Sequence, residues 1–182
     1  MLTSSPRYSL AKRDQQGVGL IEVLVAVLVI AVGVLGYAAM QLFALQSAEE
    51  ASYRTHAALI ARDALERLLL NADPDALADY FDAANWPSEP ESYGGDYPDG
   101  CTNTACDPQQ LAAADISQLA WAAANSLPAG MVQASDDCGG VPSPSCVVVT
   151  WMDMTPEECL AEYPDIPDAT DYHCVVLEAL RP

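Results

Sequence analysis

Glu22 has the clearest chemical consequence of any residue, because it lies alone at the head of a long apolar run. Residues 23–40 carry no charge, and a helix needs about 20 such residues to cross the hydrocarbon core of a bilayer. A carboxylate that faces lipid without a partner is unfavourable by several kcal/mol. A secretory signal peptide would have a shorter apolar region and no acid at its head. The position therefore predicts that Glu22 is functional and that a specific partner satisfies its charge.

Six cysteines are the second set of residues with possible chemistry, and all of them lie in the C-terminal part: Cys101, Cys106, Cys138, Cys146, Cys159 and Cys174. An even number of cysteines behind a membrane-length segment is typical of disulfides formed in an oxidising compartment. Zinc binding is less favoured, because the sequence has no C-x2-C pair and only two histidines. We expect no metal site. The number of cysteines leaves the pairing open, and we expect the local pairs Cys101–Cys106, Cys138–Cys146 and Cys159–Cys174.

The composition is strongly acidic, with 26 acids, 7 bases and a formal net charge of −19. Residues 71–182 contain twenty acids and one base, Arg181. Such a surface repels nucleic acid and anionic membranes, because phosphate binding depends on clustered lysine and arginine. We therefore expect no nucleic-acid binding by this chain alone, and an acidic surface that keeps an exposed domain soluble.

Catalytic and calcium-binding motifs find little support. The sequence contains no G-x-S-x-G, phosphate-binding loop or H-E-x-x-H motif. Ordinary exposure or packing accounts for His56 and His173, which fall on a predicted helix and a predicted strand. The aspartates between residues 73 and 82 lack the glycine and the terminal glutamate of an EF-hand loop. We expect no enzymatic activity and no cofactor; a membrane-anchored periplasmic enzyme is the least favoured alternative.

A long helix must position Glu22. No proline occurs between residues 18 and 70, and the apolar run 18–42 is followed by an amphipathic pattern over 41–70. This predicts one helix over 18–70, about 80 Å long at about 1.5 Å per residue. The first half suits lipid or a filament core, and the second half must pack against a globular domain. The residues expected on the buried face are Leu42, Leu45, Ala58, Leu59, Ala61, Leu65, Leu68 and Leu69.

The remaining residues, 71–182, are predicted to form an acidic, disulfide-bonded domain. We expect a short helical turn at 75–84 and a helix at 108–127 that is opened by Pro108. Three strands are expected at 131–134, 146–152 and 173–179. The segments 135–145 and 153–172 are rich in turn residues and are expected to be connectors. A small antiparallel sheet that covers the amphipathic half of the long helix is the simplest arrangement, and the predicted fold class is α+β.

The sequence G-V-G-L-I-E at residues 17–22 resembles the processing site of type IV pilins and pseudopilins. The resemblance implies that a prepilin peptidase cleaves between Gly17 and Val18 and removes the basic leader 1–17. It further implies that Val18 becomes N-methylated. It also implies that Glu22, the fifth mature residue, forms an ion pair with the terminal amine of its own or a neighbouring subunit. Without the leader, four bases and 25 acids remain, which gives a net charge of −21.

Within this superfamily the chain is most similar to the PilV minor pilins. The similarity lies in the apolar helix with Gly33 and Gly36, in D-I-S-Q-L-A-W followed by S-L-P-A-G, and in V-V-V-T-W-M-D. Val18 and Gly19 depart from the more usual phenylalanine and threonine. Ala39 stands where major pilins usually carry a proline, which favours a minor subunit.

The resemblance implies a subunit that waits in the inner membrane with its C-terminal domain in the periplasm. It would then prime and join the type IV pilus with other minor pilins and the major pilin, supporting twitching motility and adhesion. A type II secretion minor pseudopilin is the alternative.

Overall fold

The computed structural model describes residues 17, 19–139, 144–165 and 172–179. Its helices and strands, in chain order, are α1 (Leu20–Leu70), α2 (Pro74–Phe81), a 3-10 turn (Ala83–Asn85), α3 (Pro108–Ser126), β1 (Met131–Ser135), β2 (Ser145–Thr150), α4 (Pro156–Glu162) and β3 (Cys174–Ala179). The long N-terminal helix and the small antiparallel sheet confirm the predicted α+β class. The chain divides into two compact units, Met1–Gln46 and Ser47–Pro182. The limits of the leader, the membrane segment and the acidic domain stay predictions.

α1 is a continuous helix of 51 residues. Up to Gln46 every described side chain is exposed, and this helix is long and apolar enough to cross a membrane by length and composition. Beyond Ser47 one side of the helix is buried. The buried residues are Ala57, Ile60, Ala61, Ala64 and Leu68. These positions recur at three- and four-residue intervals, as a helix requires for one face.

The buried face of α1 differs in part from the prediction. Ala61 and Leu68 are buried as expected, but Leu59 and Leu69 are 57% and 60% exposed. Adjacent helical residues are separated by about 100°, so Leu59 cannot share a face with Ala57 and Ala61. Short alanine side chains occupy the contact instead, and Leu42 and Leu45, placed on the same face by the sequence pattern, are also exposed.

The sheet has the order β1-β2-β3 with both pairings antiparallel. β2 is the central strand and is buried along its whole length, with Val149 opposite Val132 on one side and Val175 on the other. Alternate residues of β2 enter different cores, because successive side chains of a strand point to opposite faces. Val147 and Val149 join the main core, which includes α1, whereas Val148 joins a second cluster formed largely by cysteines.

α2 and α3 complete the main core, and their ends are set by local sequence. Asp73 caps α2, and Asp107 caps α3 in a reciprocal capping box with Gln110, just before Pro108. The predicted helix over 108–127 is confirmed. Its exit requires Gly130, because a Cβ atom there would lie 2.2 Å from the carbonyl oxygen of Ala123.

α4 lies in a segment that was expected to be a connector, and that expectation was wrong. Thr155 accepts a hydrogen bond from the backbone of Glu158, and the Glu158 carboxylate accepts one from the backbone of Thr155. This capping box nucleates a seven-residue helix at Pro156, and Cys159 anchors it in the second cluster. The apolar periodicity is too short to reveal such a helix, but the T-x-x-E pattern with a following proline indicates one.

Candidate functional site

The head of α1 carries the predicted assembly site. α1 begins at Leu20, and the carbonyl oxygen of Gly19 accepts hydrogen bonds from the backbone nitrogens of Glu22 (2.9 Å) and Val23 (3.3 Å). Glu22 therefore lies in the first helical turn, where unpaired N–H groups favour a negative charge. Gly17 is exposed, whereas Val18 lies outside the described residues. Cleavage after Gly17 and methylation of Val18 stay predictions.

The surface behind Glu22 is apolar on all sides. Large side chains such as Leu28 (64% exposed) and Ile30 (65% exposed) cover the helix, and from Leu20 to Ala48 Glu22 is the only ionisable acid or base apart from Tyr37. Exposed apolar area of this extent indicates contact with lipid or with another protein. Among the described residues, Glu22 forms no ion pair, so any cation that pairs with it belongs elsewhere.

The cysteines form three disulfides, Cys101–Cys106, Cys138–Cys146 and Cys159–Cys174, with Cα–Cα distances of 5.8, 6.1 and 6.4 Å. These are the local pairs of the sequence analysis. Two of them cover the outer side of the sheet together with Val148, and the third closes the loop that precedes α3. None of the six thiols is free, so the cysteines provide structure and no nucleophile.

A polar network inside the domain was not predicted. Asp115 on α3 is buried and accepts hydrogen bonds from the guanidinium of Arg67 (2.7 Å) and the hydroxyl of Tyr80 (2.5 Å). Arg67 also donates to Gln118 and pairs with Asp63. Burial, together with the hydrogen bond to Asp115, raises the pKa of Tyr80. The sequence feature that could have indicated this network is Asp115, a charged residue on the apolar face of a predicted helix.

The charges of Arg67 show why this network is structural. Burial of the guanidinium disfavours its charged form, but hydrogen bonds and electrostatic attraction from Asp63 and Asp115 outweigh that effect and raise its pKa. Arg67 therefore stays cationic, and Asp115 faces a permanent positive charge. The network joins α1, α2 and α3 through Arg67, Tyr80 and Asp115.

A second group of contacts joins α1 to the end of the sheet. Arg54 forms an ion pair with Glu50 (2.9 Å) and donates to the carbonyl oxygen of Tyr172 (2.9 Å). Its guanidinium also lies 5.5 Å from the centre of the buried Trp151 ring, and the indole of Trp151 donates to Glu50. These contacts fix α1 against β2 and the start of β3.

The remaining candidate residues take ordinary roles. His56 is exposed, and His173 lies 3.5 Å from the exposed Asp153. Asp73 and Asp82 accept backbone hydrogen bonds at helix starts. Within the part of the chain that the structure describes, no group of three or more acids, cysteines or histidines is arranged to hold a metal ion.

The three tryptophans take part in packing and hydrogen bonding within the domain. Trp86 and Trp151 are buried in the main core, and the indole of Trp86 donates to the carbonyl oxygen of Tyr80. Trp121 is half-buried on α3, where it packs edge-on against Tyr97 and donates to the carbonyl oxygen of Gly95. All three tryptophans therefore hold secondary structure together.

Comparison with protein families gives two matches. Residues 39–117 match a model described as type IV pilin Tt1218, and residues 12–38 match the prokaryotic N-terminal methylation motif. Comparison with curated proteins and with solved structures finds no match. The two family matches support the type IV pilin superfamily and suggest a structural, non-enzymatic protein. They also imply processing by a prepilin peptidase, membrane anchoring by the apolar helix and assembly with other pilins.

Proposed function

We propose that this chain is a minor pilin of the PilV type, which primes assembly of a type IV pilus and is incorporated into it. One observation carries the proposal: Glu22 is the lone carboxylate in the apolar part of α1 and lies in the first turn of that helix. In a helix that only anchors a protein in the membrane, such a charge would be unfavourable and would serve no function. The match to the N-terminal methylation motif spans this position.

The first step is processing at the inner membrane. Hydrolysis of the peptide bond between Gly17 and Val18 leaves a carboxylate on Gly17 and a new amine on Val18. The leader then carries away Arg7, Lys12 and Arg13. Transfer of one methyl group from a methyl donor to the Val18 nitrogen keeps that nitrogen cationic. The mature helix thus begins with a positive charge and carries its negative charge four residues later.

The second step is assembly. In a filament core that excludes water, an unpaired Glu22 carboxylate is strongly unfavourable, and an amine from a neighbouring subunit removes that penalty. Subunits in a wrong register leave the carboxylate and the amine unpaired, so the pair selects one axial position. The exposed apolar surface of α1 leaves lipid for equivalent helices, and the disulfide-bonded domain stays at the filament surface.

The absence of proline from α1 supports a minor role. A continuous helix of 51 residues keeps its backbone hydrogen bonds, whereas a proline would remove one and loosen the turn before it. The resemblance to PilV points to a position with other minor pilins, in support of twitching motility and adhesion. The same α1 head fits a minor pseudopilin of type II secretion, and the identity of the neighbouring genes distinguishes the two systems.

Substitution of Glu22 tests the proposal. We expect Glu22→Val to be cleaved largely like the wild type, yet to be lost from sheared filaments, because assembly depends on the charge of Glu22. Glu22→Asp serves as the matched control, since it keeps the carboxylate and should retain part of the incorporation. Recovery of Glu22→Val in filaments at the wild-type level would contradict the proposed role.

A further inference from the structure

β3 is an edge strand of the small sheet, because β2 is its only strand partner in the part of the chain that the structure describes. β1, at the opposite end of the sheet, packs against α2, α3 and the 3-10 turn, whereas β3 packs mainly against β2. Natural sheets usually protect an exposed edge with proline, lysine or a covering element. The sequence C-V-V-L-E-A of β3 contains neither proline nor lysine, so this edge suits another strand.

The hydrogen-bond pattern of β3 identifies the backbone groups at this edge. The backbone nitrogen of Trp151 donates to the carbonyl oxygen of His173 (3.0 Å), and every second residue counted from His173 then bonds with β2. The N–H and C=O groups of Cys174, Val176 and Glu178 therefore point away from β2. Among the described residues, these groups have no backbone hydrogen-bond partner. Such a row of donors and acceptors fits the backbone of an added strand.

The side chains of β3 indicate what the added strand carries. Val175 and Leu177 contact the main core but are only half-buried, so apolar side chains beside them would cover them. On the other face, the exposed Glu178 carboxylate accepts a hydrogen bond from the hydroxyl of Tyr163 (2.7 Å), and no described base forms an ion pair with it. Residues 71–182 contain twenty acids and one base. Charge complementarity therefore favours a cationic residue opposite Glu178.

We propose that the outer edge of β3 binds an extended, cationic segment of another protein, which joins the sheet as an antiparallel strand. Its apolar side chains lie beside Val175 and Leu177, and a lysine or arginine lies opposite Glu178. Another protein is favoured over a second copy, because two chains with a net charge of −19 each repel one another. The inference goes beyond the proposed function and does not rest on it, since it concerns the domain alone.

A synthetic peptide tests the backbone pairing. The probe is a blocked, fluorescently labelled Lys-Val-Thr-Val-Thr-Val-Lys, and its binding to the oxidised full chain in detergent micelles is measured by fluorescence anisotropy. In the proposed arrangement, the N–H groups of lysine and threonine face β3 and those of valine face away. N-methylation of two valines should keep the dissociation constant within about threefold, whereas N-methylation of the two threonines should raise it by about tenfold or more.

Substitutions on β3 locate the binding. Val176→Pro removes an outward N–H but no bond to β2, and should weaken binding by about fivefold or more, whereas Val176→Thr keeps that N–H and should stay within about twofold. Glu178→Lys should also weaken binding by about fivefold or more. Glu89→Lys makes the same charge change at an exposed site outside β3 and should have less than about a twofold effect. Near-UV circular dichroism checks the fold of each variant, and the methylated peptides and Glu178→Lys decide the test if Val176→Pro does not fold.

Amide hydrogen exchange at Val176 and Glu178 tests the occupant. In the dilute free chain these amides should exchange as solvent-exposed amides do, and the probe should slow them by about tenfold or more. Slow exchange in the dilute free chain would show that the chain covers its own edge, and slowing with chain concentration alone would assign the edge to a second copy. Either result would overturn the proposed occupant. Equal binding of the two methylated peptides, or no binding of the unmethylated probe, would overturn strand addition itself.

Discussion

Asp115 provides a stringent test of the packing between α1, α2 and α3, because one carboxylate joins all three helices. It is 7% exposed, and its two oxygens accept hydrogen bonds from Arg67 and Tyr80. Asp115→Ala would remove both bonds and leave a buried phenol without an acceptor. Among the described residues, the guanidinium of Arg67 would keep Asp63 and Gln118 as partners.

The expected loss of stability follows from this geometry. Breaking a buried ion pair by removing one partner usually lowers the free energy of unfolding by about 3–5 kcal/mol. Here the Arg67 side chain retains 26% exposure, so water compensates part of the loss. Alanine is also a better helix former than aspartate, by about 0.5 kcal/mol. We therefore expect Asp115→Ala to lower the free energy of unfolding by about 2–3 kcal/mol.

The assay is urea unfolding of the full, oxidised chain in detergent micelles, followed by tryptophan fluorescence. Trp86 reports on the network directly, because its indole donates to the carbonyl oxygen of Tyr80 at 2.7 Å. Asp63→Ala is the matched control, since it removes the half-exposed partner of the same guanidinium and should cost less than about 0.5 kcal/mol. The double variant Arg67→Met/Asp115→Leu should recover part of the loss, because apolar residues replace the ion pair while the Tyr80 hydroxyl still lacks its acceptor.

Equal effects of Asp115→Ala and Asp63→Ala would refute this reasoning, because the network would then contribute no more than a surface ion pair. A double variant less stable than Asp115→Ala would show that packing around these side chains, and not their charge, holds the three helices together.

Three further predictions concern the domain. Gly130→Ala should lower the free energy of unfolding by about 1–3 kcal/mol, because its Cβ would meet the carbonyl of Ala123, while Gly33→Ala, with open space around it, should have no such effect. Removing the buried Cys159–Cys174 disulfide should destabilise the chain by about 2–4 kcal/mol, more than removing Cys101–Cys106, which closes a shorter loop; equal urea midpoints for the two variants would contradict this. Hydrogen bonds from Thr155 lower the pKa of Glu158, so the cap of α4 is fully stabilising above the ordinary glutamate pKa and is lost as the pH falls through the lowered value. The protection of α4 amides against exchange, relative to the intrinsic rate at each pH, should therefore fall below about pH 4 in the wild type but not in Glu158→Gln, and identical pH profiles would exclude the cap as the cause.

Much of the fold could be predicted from the sequence because its signals are local. The uninterrupted run without proline predicts α1, and Pro108 predicts the start of α3. The strand expected at 146–152 is observed at Ser145–Thr150. α4 was missed because seven residues are too few to show a period, and only the pattern at Thr155 and Glu158 marks it.

The side chains that hold the domain together were harder to predict. The pairing of Arg67 with Asp115 spans 48 residues, and no local pattern links the two positions. The face of α1 that contacts the core differs from the face predicted from the leucines, because alanines make the closest approach to the core. The candidate assembly site, in contrast, is a short linear motif, so Glu22 was found without any tertiary information.

The proposed processing and assembly role of the N-terminus is best tested by the intact mass and N-terminal sequence of the chain, produced with and without a prepilin peptidase. With the peptidase, the chain should begin at Val18, heavier by one methyl group and lighter by the hydrogens lost in three disulfides. A chain that still carries residues before Gly17 in the presence of the peptidase, or one cut after Ala39, would contradict it. In that case the apolar helix would be an ordinary anchor or signal segment, and Glu22 would have no assembly partner.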